Sequence, residues 1–181
     1  MQINQHKGIT HIDEGALDYL CARFNIMSMI DIGCGVGGQV DIARAKGIFS
    51  DGVDGDPAVN SSREPGDLYI HDFETGKFKC GTYDLAWCVE LLEHIHEEFL
   101  PNVLAVLKRC SIVAVTAATS DWPSPYHVNC QPTTYWIEAI ESVGFDYHPD
   151  ESKHMQAAST MKREMMRVRG MLFTNKSRSL V

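Results

Sequence analysis

The sequence predicts an α/β fold in which a mostly parallel sheet carries helices on both faces. Short apolar runs alternate with helix-like stretches, a glycine-rich turn joins the first run to a helix, and three runs end at or next to an acidic residue. Strand, helix and strand in regular succession need crossover connections, which make neighbouring strands parallel. We therefore expect one doubly wound sheet.

Five apolar runs are predicted to form the parallel strands. They are residues 28–32, 50–53, 68–71, 83–89 and 111–117. Helices are expected over 38–46 and from about residue 97 to 109. Because only about ten residues join Asp72 to Tyr83, the helix of that crossover is either absent or reduced to a turn.

The C-terminal third is predicted to complete the sheet with an antiparallel strand. A Pro-rich loop over 121–132 precedes a helix that begins at Thr133 or Thr134 and ends at Gly144. Residues 145–148 are typical of an edge strand, and 171–173 of a last strand.

Between those two strands, one helix that ends near Gly170 is predicted from an apolar stripe at helical spacing. The stripe consists of Met155, Ala158, Met161, Met165 and Val168. Methionines in such a stripe usually fill a core, so we assign them no chemistry.

The composition is that of an ordinary globular chain. Its 181 residues, 44% of them hydrophobic, are enough for one substantial core, so we expect a single domain over 1–181. No apolar run approaches the length of a membrane span, and residues 1–10 lack an export signal, so we expect a cytoplasmic protein without a membrane partner. The six cysteines lack CxxC spacing, which indicates free thiols.

The net charge of -8 is unevenly distributed along the chain. Residues 151–181 carry 7 Lys/Arg against 2 Asp/Glu, whereas the rest is strongly acidic. An acidic body argues against a large nucleic acid, because such binding depends on cations that neutralise phosphates. We expect a small-molecule substrate, with a basic tail that could meet a small anionic group. The oligomeric state stays open.

The glycine-rich turn follows the first strand, in the segment Met-Ile-Asp-Ile-Gly-Cys-Gly-Val-Gly-Gly over 29–38. Gly33, Gly35 and Gly38 also fit GxGxxG, the dinucleotide pattern, so the glycines alone do not choose a cofactor. Asp31 does, since a carboxylate two residues before Gly33 would repel a pyrophosphate and attract a cation. The ammonium and sulfonium groups of S-adenosylmethionine meet that requirement.

Acids also end the next two strands. Asp54, followed by Gly55, lies about twenty residues beyond the turn, where a carboxylate accepts from ribose hydroxyls. Asp72 can accept from an adenine amino group, and Phe73 can cover the ring. All three acids fall at the carboxyl edge of the predicted sheet, where open α/β sheets bind ligands.

These segments resemble the class I S-adenosylmethionine-dependent methyltransferases over nearly the whole chain. Residues 31–37 match that family's glycine motif, 53–54 its ribose acid, 71–73 its adenine segment and 83–95 its fourth-strand motif. The resemblance implies a Rossmann-like fold and S-adenosylmethionine as cofactor. The implied cofactor-binding residues are Asp31, Gly33, Cys34, Gly35, Gly37, Asp54, Gly55, Asp72, Phe73 and Glu90.

Glu90, Glu93 and His94 have the spacing i, i+3 and i+4, so in a helical turn they would point the same way. With His127 they could bind a divalent metal, Mg²⁺ or Mn²⁺, beside an acceptor hydroxyl. This run resembles the ExxEH of metal-assisted O-methyltransferases, among them ubiquinone-pathway enzymes and small-RNA 3′-terminal 2′-O-methyltransferases. Metal-free relatives also carry the EH pair; without metal, His127 or His94 is the expected catalytic base.

Residues 127–136 resemble a segment of small sugar-type methyltransferases related to the FkbM group. Tyr126, Tyr135 and Trp136 could form a wall for a sugar, or Trp136 could anchor its helix. The leading hypothesis is O-methylation of a small-molecule hydroxyl, on a sugar or sugar nucleotide. The alternatives are an NAD(P)-dependent oxidoreductase that uses GxGxxG and a non-catalytic S-adenosylmethionine-binding regulatory module.

Overall fold

A computed structural model describes residues 10–61, 63–121 and 124–177. Within these ranges, seven strands form one sheet. In chain order they are β1 (Ser28–Ile32), β2 (Phe49–Asp54), β3 (Tyr69–Ile70), β4 (Tyr83–Cys88), β5 (Cys110–Val115), β6 (Phe145–Tyr147) and β7 (Met171–Asn175). The order across the sheet is β3-β2-β1-β4-β5-β7-β6. The first five strands are parallel, whereas β7 runs antiparallel to both β5 and β6.

Six α-helices in the described ranges flank this sheet. They are α1 (Glu14–Phe24), α2 (Gly38–Ala45), α3 (Leu100–Leu107), α4 (Thr133–Glu141), α5 (Pro149–Ala158) and α6 (Met165–Arg169). Single 3₁₀ turns lie at Pro57–Asn60, Phe73–Thr75, Leu92–His94 and Glu97–Phe99. None of the described helices is both long and apolar enough to cross a membrane.

Side chains of alternate strand residues point to opposite faces, and each face has its own core. Along β4, Leu85 and Trp87 pack with α1, α2, α5 and α6. Ala86 and Cys88 pack with α3 and α4 on the other face, where Trp136 is buried. Helices therefore cover both faces, which confirms the predicted doubly wound architecture with an antiparallel C-terminal strand.

The crossover after Asp72 is reduced to one 3₁₀ turn, as its length allows. The strand predicted over 68–71 is shorter, and the helix predicted from residue 97 begins with a separate 3₁₀ turn. The expectation about an export signal rests mainly on residues 1–9, which lie outside the described residues. So do residues 122–123 of the Pro-rich loop and residues 178–181 of the basic tail.

The single helix predicted from the methionine stripe is wrong. The chain leaves the helical path after Ala158, because the Ser159 hydroxyl and the Thr160 N–H both donate to the carboxylate of Asp13, the latter at 2.8 Å. Asp13 is fully buried and also caps α1 by accepting from the Ala16 N–H. This junction separates α5 from α6 and changes which side chains α6 exposes.

Candidate functional site

A cleft of about 960 Å³ opens at the carboxyl edge of the sheet, beside β1 and β4. Its walls come from the glycine turn, the segment after β4, the loop over 124–128, and α6 with the two residues before it. Such a volume suits a nucleotide-sized cofactor together with part of a small acceptor. The predicted site residues that line it are Asp31, Gly33, Cys34, Gly35, Glu90, His94 and His127.

The glycine turn is fixed against β2. The Gly33 N–H donates to the carbonyl of Val53 at 2.8 Å, and Gly33 has a φ of 78°. A Cβ at Gly33 would lie 3.1 Å from the Leu91 side chain, so glycine is required both by conformation and by space. Gly37, also at positive φ, is the residue before α2. The turn therefore presents backbone rather than side chains to the cleft.

The carboxylate of Asp31 is only 4% exposed and faces the cleft. Within the part of the chain that the structure describes, no N–H or O–H group donates to it. Burial, and then the neighbouring Asp54, raise its pKa to about 8. A buried acid next to a second acid is a costly arrangement that a bound cation would relieve.

The structure places the other predicted cofactor residues off the cleft lining. Both oxygens of Asp54 accept backbone N–H groups, from Gly35 and Asp56, each at 2.9 Å. Asp72 accepts from the Glu74 N–H and begins the 3₁₀ turn. Phe73 is 3% exposed and packs in the core. Gly37 and Gly55 are likewise not lining residues.

Glu90 occupies a strained backbone position directly after β4. Its φ is 56°, a value that non-glycine residues rarely adopt. The buried Thr116 hydroxyl holds it there, since it accepts from the Glu90 N–H at 3.0 Å and donates to its Oε1 at 2.9 Å. The predicted helical turn from Glu90 through His94 is therefore wrong, because the 3₁₀ turn spans only Leu92–His94. Strain of this kind concentrates at functional sites.

Glu93 is fully buried, unlike the exposed ligand that a helical turn would present. Its Oε1 accepts from the Ala118 N–H at 3.0 Å, whereas its buried Oε2 accepts from no N–H group of the described residues. Burial and the adjacent Glu90 raise the pKa of Glu93. Its main-chain carbonyl accepts from the N–H groups of Val128 and Asn129, which fixes the loop that carries His127.

This arrangement brings His94 and His127 together with Glu93. The two imidazole rings lie 4.9 Å apart between centroids, and one potential ligand atom from each of the three residues lies within 4.8 Å of the others. Nδ1 of His94 is 3.0 Å from the Tyr126 carbonyl. Because that oxygen can only accept, Nδ1 carries a proton, so Nε2 is the nitrogen that offers a lone pair in the neutral imidazole. Glu90 is not in the group of three, but it contacts Glu93 electrostatically.

Several residues of this site were not predicted from the sequence. Thr116 follows β5 without any motif, and Asn129, whose buried Nδ2 has no partner, lies in a loop. Arg163 and Arg169 line the cleft only because the helical stripe is interrupted. Of the predicted aromatic wall, Tyr126 lines the cleft, whereas Trp136 is 1% exposed and anchors α4.

Comparison with known proteins relates the fold to that of methyltransferases. A family model described as a methyltransferase domain matches residues 30–115. No curated protein sequence matches the chain. A TehB-like SAM-dependent methyltransferase from Corynebacterium glutamicum is similar in structure, with a TM-score of 0.63 and 17% identity over 90% of this chain and 88% of that one.

Two further solved structures are similar at the same level. The methyltransferase domain of bacterial CtHen1 has a TM-score of 0.62 and 19% identity, over 90% of this chain and 96% of that one. The plantazolicin methyltransferase BamL, solved with SAH, has a TM-score of 0.61 and 12% identity, over 90% and 83%. With the domain match over residues 30–115, these findings show the Rossmann-like α/β fold of methyltransferases and support an S-adenosylmethionine-dependent methyltransferase.

Proposed function

We propose that this methyltransferase acts on a hydroxyl of a small molecule, a sugar or sugar nucleotide. The observation that carries the proposal is the Oε2 of Glu93, which is buried beside His94 and His127 and accepts from no N–H group of the described residues. A hydroxyl, unlike a free amine, must lose its proton as it is methylated. A group of carboxylate and imidazole atoms is suited to that task.

The cofactor is proposed to bind with its methionine end at the glycine turn. The Asp31 carboxylate, to which no group of the described residues donates, would accept from the ammonium group and offset the sulfonium charge. Cys34 and Gly35 line the same wall. Asp54 keeps lone pairs for the ribose hydroxyls, because each of its oxygens accepts only one backbone N–H.

The adenine end of the cofactor is proposed to lie near the turn that Asp72 begins. Glu74, in that turn, lines the cleft, whereas Asp72 and Phe73 do not. Asp72 and Phe73 can therefore contact the adenine ring only if the ring extends beyond the residues that line the cleft. Asp72→Ala should weaken cofactor binding less than a change at Asp31.

The donor set of Glu93, His94 and His127 fits a divalent ion such as Mg²⁺ or Mn²⁺, whereas Glu90, also predicted as a ligand, lies outside this group. Glu93 offers an oxygen that accepts from no N–H group of the described residues, and an imidazole nitrogen from each histidine lies within 4.8 Å of a Glu93 carboxylate oxygen. When bound there, such an ion would lower the pKa of the acceptor hydroxyl. These residues are buried or half-buried, so their geometry is fixed before an acceptor enters.

The residues of the cleft would then mainly align and deprotonate the acceptor. The hydroxyl oxygen attacks the methyl carbon in line with the departing sulfur, so a C–O bond forms as the C–S bond breaks. The sulfonium becomes a neutral thioether. The hydroxyl proton passes to an imidazole nitrogen, on His127 or on Nε2 of His94, if these nitrogens hold no ion, and otherwise to water in the cleft. Alignment alone contributes on the order of 7 to 11 kcal/mol to such a reaction.

The comparisons support a small acceptor without identifying it. The plantazolicin methyltransferase BamL, which is similar in structure, forms a complex with a triazolic desmethylPZN analog and SAH. An NAD(P) cofactor would have to lay its pyrophosphate where the buried Asp31 faces the cleft, which does not favour the oxidoreductase alternative.

Transfer of labelled methyl groups to matched acceptors tests this proposal. We expect methylation of sugar hydroxyls but not of the corresponding amino or carboxyl analogues. Excess EDTA should lower turnover at least about 100-fold, and added Mg²⁺ or Mn²⁺ should restore it. Full turnover in EDTA would show that the reaction needs no ion, and an imidazole would then be the base. Methylation of amines alone would overturn the hydroxyl assignment.

We expect the Thr116 hydroxyl to position Glu90. Two substitutions distinguish this role from the packing of the Thr116 methyl group. Thr116→Val keeps the shape but leaves the Glu90 N–H unpartnered, and should cost about 1–3 kcal/mol of stability and about tenfold in turnover. Thr116→Ser deletes a buried methyl group, costing about 1 kcal/mol, but should retain turnover. Melting temperatures and rates for the pair check this; equal loss of turnover in both would contradict the positioning role.

A further inference from the structure

We propose that the acceptor carries a phosphate group, which Arg163 and Arg169 bind at the mouth of the cleft. This inference rests on the proposed function and specifies that the substrate is negatively charged. It follows from the wall of the cleft that α6 and the residues before it form. Neither arginine belongs to the cofactor or Glu/His groups described above.

The position of these arginines is set by the packing of α6. Met165 and Met166 are buried on its inner side, and a Cβ at Gly170 would lie 2.6 Å from the Met166 carbonyl, so the chain turns tightly after Arg169. Arg163 is exposed and Arg169 half-buried, and both line the cleft. The two guanidinium groups are thus carried on an anchored segment.

The charge distribution of the cleft separates a cationic ligand from an anionic one. The cofactor end is acidic, with Asp31 and Glu90 on the lining and Glu93 behind them. Among the described lining residues, Arg163 and Arg169 are the only lysines or arginines. Glu164 lies beside them, so this wall has a net positive charge of one.

Guanidinium groups match the geometry of a phosphate and stay charged at any physiological pH. A phosphate would be attracted to the wall that carries these two guanidinium groups. An acceptor with phosphate and hydroxyl at opposite ends would therefore enter in one orientation, with the hydroxyl toward His127.

Apolar side chains at the same mouth indicate that the rest of the acceptor includes a ring. Val168 is 63% exposed, Val128 46% and Tyr126 39%, and all three line the cleft. Such exposed apolar groups on a ligand cleft supply contact area rather than orientation. A phosphorylated sugar or a nucleoside diphosphate sugar combines a ring, a hydroxyl and phosphate. The acidic body of the chain argues against a polynucleotide.

Calorimetry on the protein loaded with S-adenosylhomocysteine tests the inference with UDP-glucose, glucose 1-phosphate, glucose and a short single-stranded RNA. We expect the two phosphorylated sugars to bind at least about tenfold more tightly than glucose. Arg163→Gln and Arg169→Gln should each weaken that binding roughly tenfold, the cost of one charge-assisted hydrogen bond, without changing cofactor affinity. Lys162→Gln, a neighbouring charge that does not line the cleft, should leave it unchanged.

Equal binding of glucose and its phosphate, no binding of either phosphorylated sugar, or binding of RNA alone would overturn the inference. So would unchanged affinity in both arginine variants. Arg163 is exposed, so its variant should fold even if the Arg169 variant does not. Since binding is measured without turnover, a failure of hydroxyl methylation with phosphate-dependent binding intact would count against the proposed function only.

Discussion

Replacing Asp31 with asparagine is expected to weaken S-adenosylmethionine binding roughly 30- to 100-fold and yet to stabilise the cofactor-free protein. The affinity falls because the methionine ammonium and the sulfonium lose the carboxylate that faces the cleft. The stability rises because asparagine removes a buried acid whose ionisation is opposed by burial and by Asp54. A gain of roughly 5 °C in melting temperature is expected for a chain of this size.

The stability of the cofactor-free protein and its affinity for the cofactor should depend on pH with opposite signs. Burial and Asp54 raise the pKa of Asp31 from 3.8 to about 8, so the folded chain retains a proton that the unfolded chain has lost. The contribution of Asp31 to stability is therefore fully present below about pH 4 and is lost as the pH rises through about 8. Cofactor affinity should rise over the same interval, by up to about tenfold per pH unit, because the cation binds the ionised form.

Calorimetric titration and thermal melts from pH 6 to 9 check both effects, with Asp150→Asn as a control for the same change at an exposed position. The Asp31→Asn protein should show flatter profiles in both measurements. Unchanged affinity in this variant would mean that the carboxylate does not face the cofactor, and the proposed placement of the methionine end would have to be abandoned.

Glu93→Gln is expected to abolish most turnover while leaving the fold and the cofactor site intact. The amide oxygen can still accept from the Ala118 N–H, so the hydrogen bond that fixes the side chain is preserved. The charge beside His94 and His127 is lost, and with it about 100- to 10,000-fold in kcat. Because burial and Glu90 raise the pKa of Glu93, removal of the acid should not destabilise the chain.

Steady-state kinetics, cofactor titration and melting temperature together check this expectation. The Kd for S-adenosylmethionine should stay within about threefold, since the loss affects the reacting end rather than cofactor binding. Glu98→Gln, at an exposed position on the same segment, serves as the control. A variant with normal turnover would reduce Glu93 to a loop-fixing residue, through its main-chain bonds to Val128 and Asn129.

The sheet could be predicted from the sequence because its strands are short apolar runs with clear ends. The turn after β1 could also be predicted from the sequence. Gly33 and Gly37 have positive φ angles there, which glycine adopts more readily than any other residue. Helix α1 was missed, although Asp13 caps it, because it buries only three side chains and has a weak apolar face.

The geometry of the Glu/His group could not be predicted, because it depends on contacts between distant residues. The spacing of Glu90, Glu93 and His94 suggested a helix, but Thr116 imposes a left-handed backbone at Glu90 from 26 positions away. The break between α5 and α6 is set by Asp13 near the other end of the described chain. Periodicity reports local preference and carries no signal for either contact.

The bond network of Asp13 also has a consequence for the order of folding. The hydrogen bonds of Asp13 with Ser159 and Thr160 span sequence separations of 146 and 147 positions. They therefore close the longest loop among the described hydrogen bonds. Contacts of such high separation form late, and a chain emerging from the ribosome can pair β1, β2 and β4 well before residue 160 is available. The cofactor half should therefore assemble first, and the arginine-bearing wall should be the last part of the cleft to become ordered.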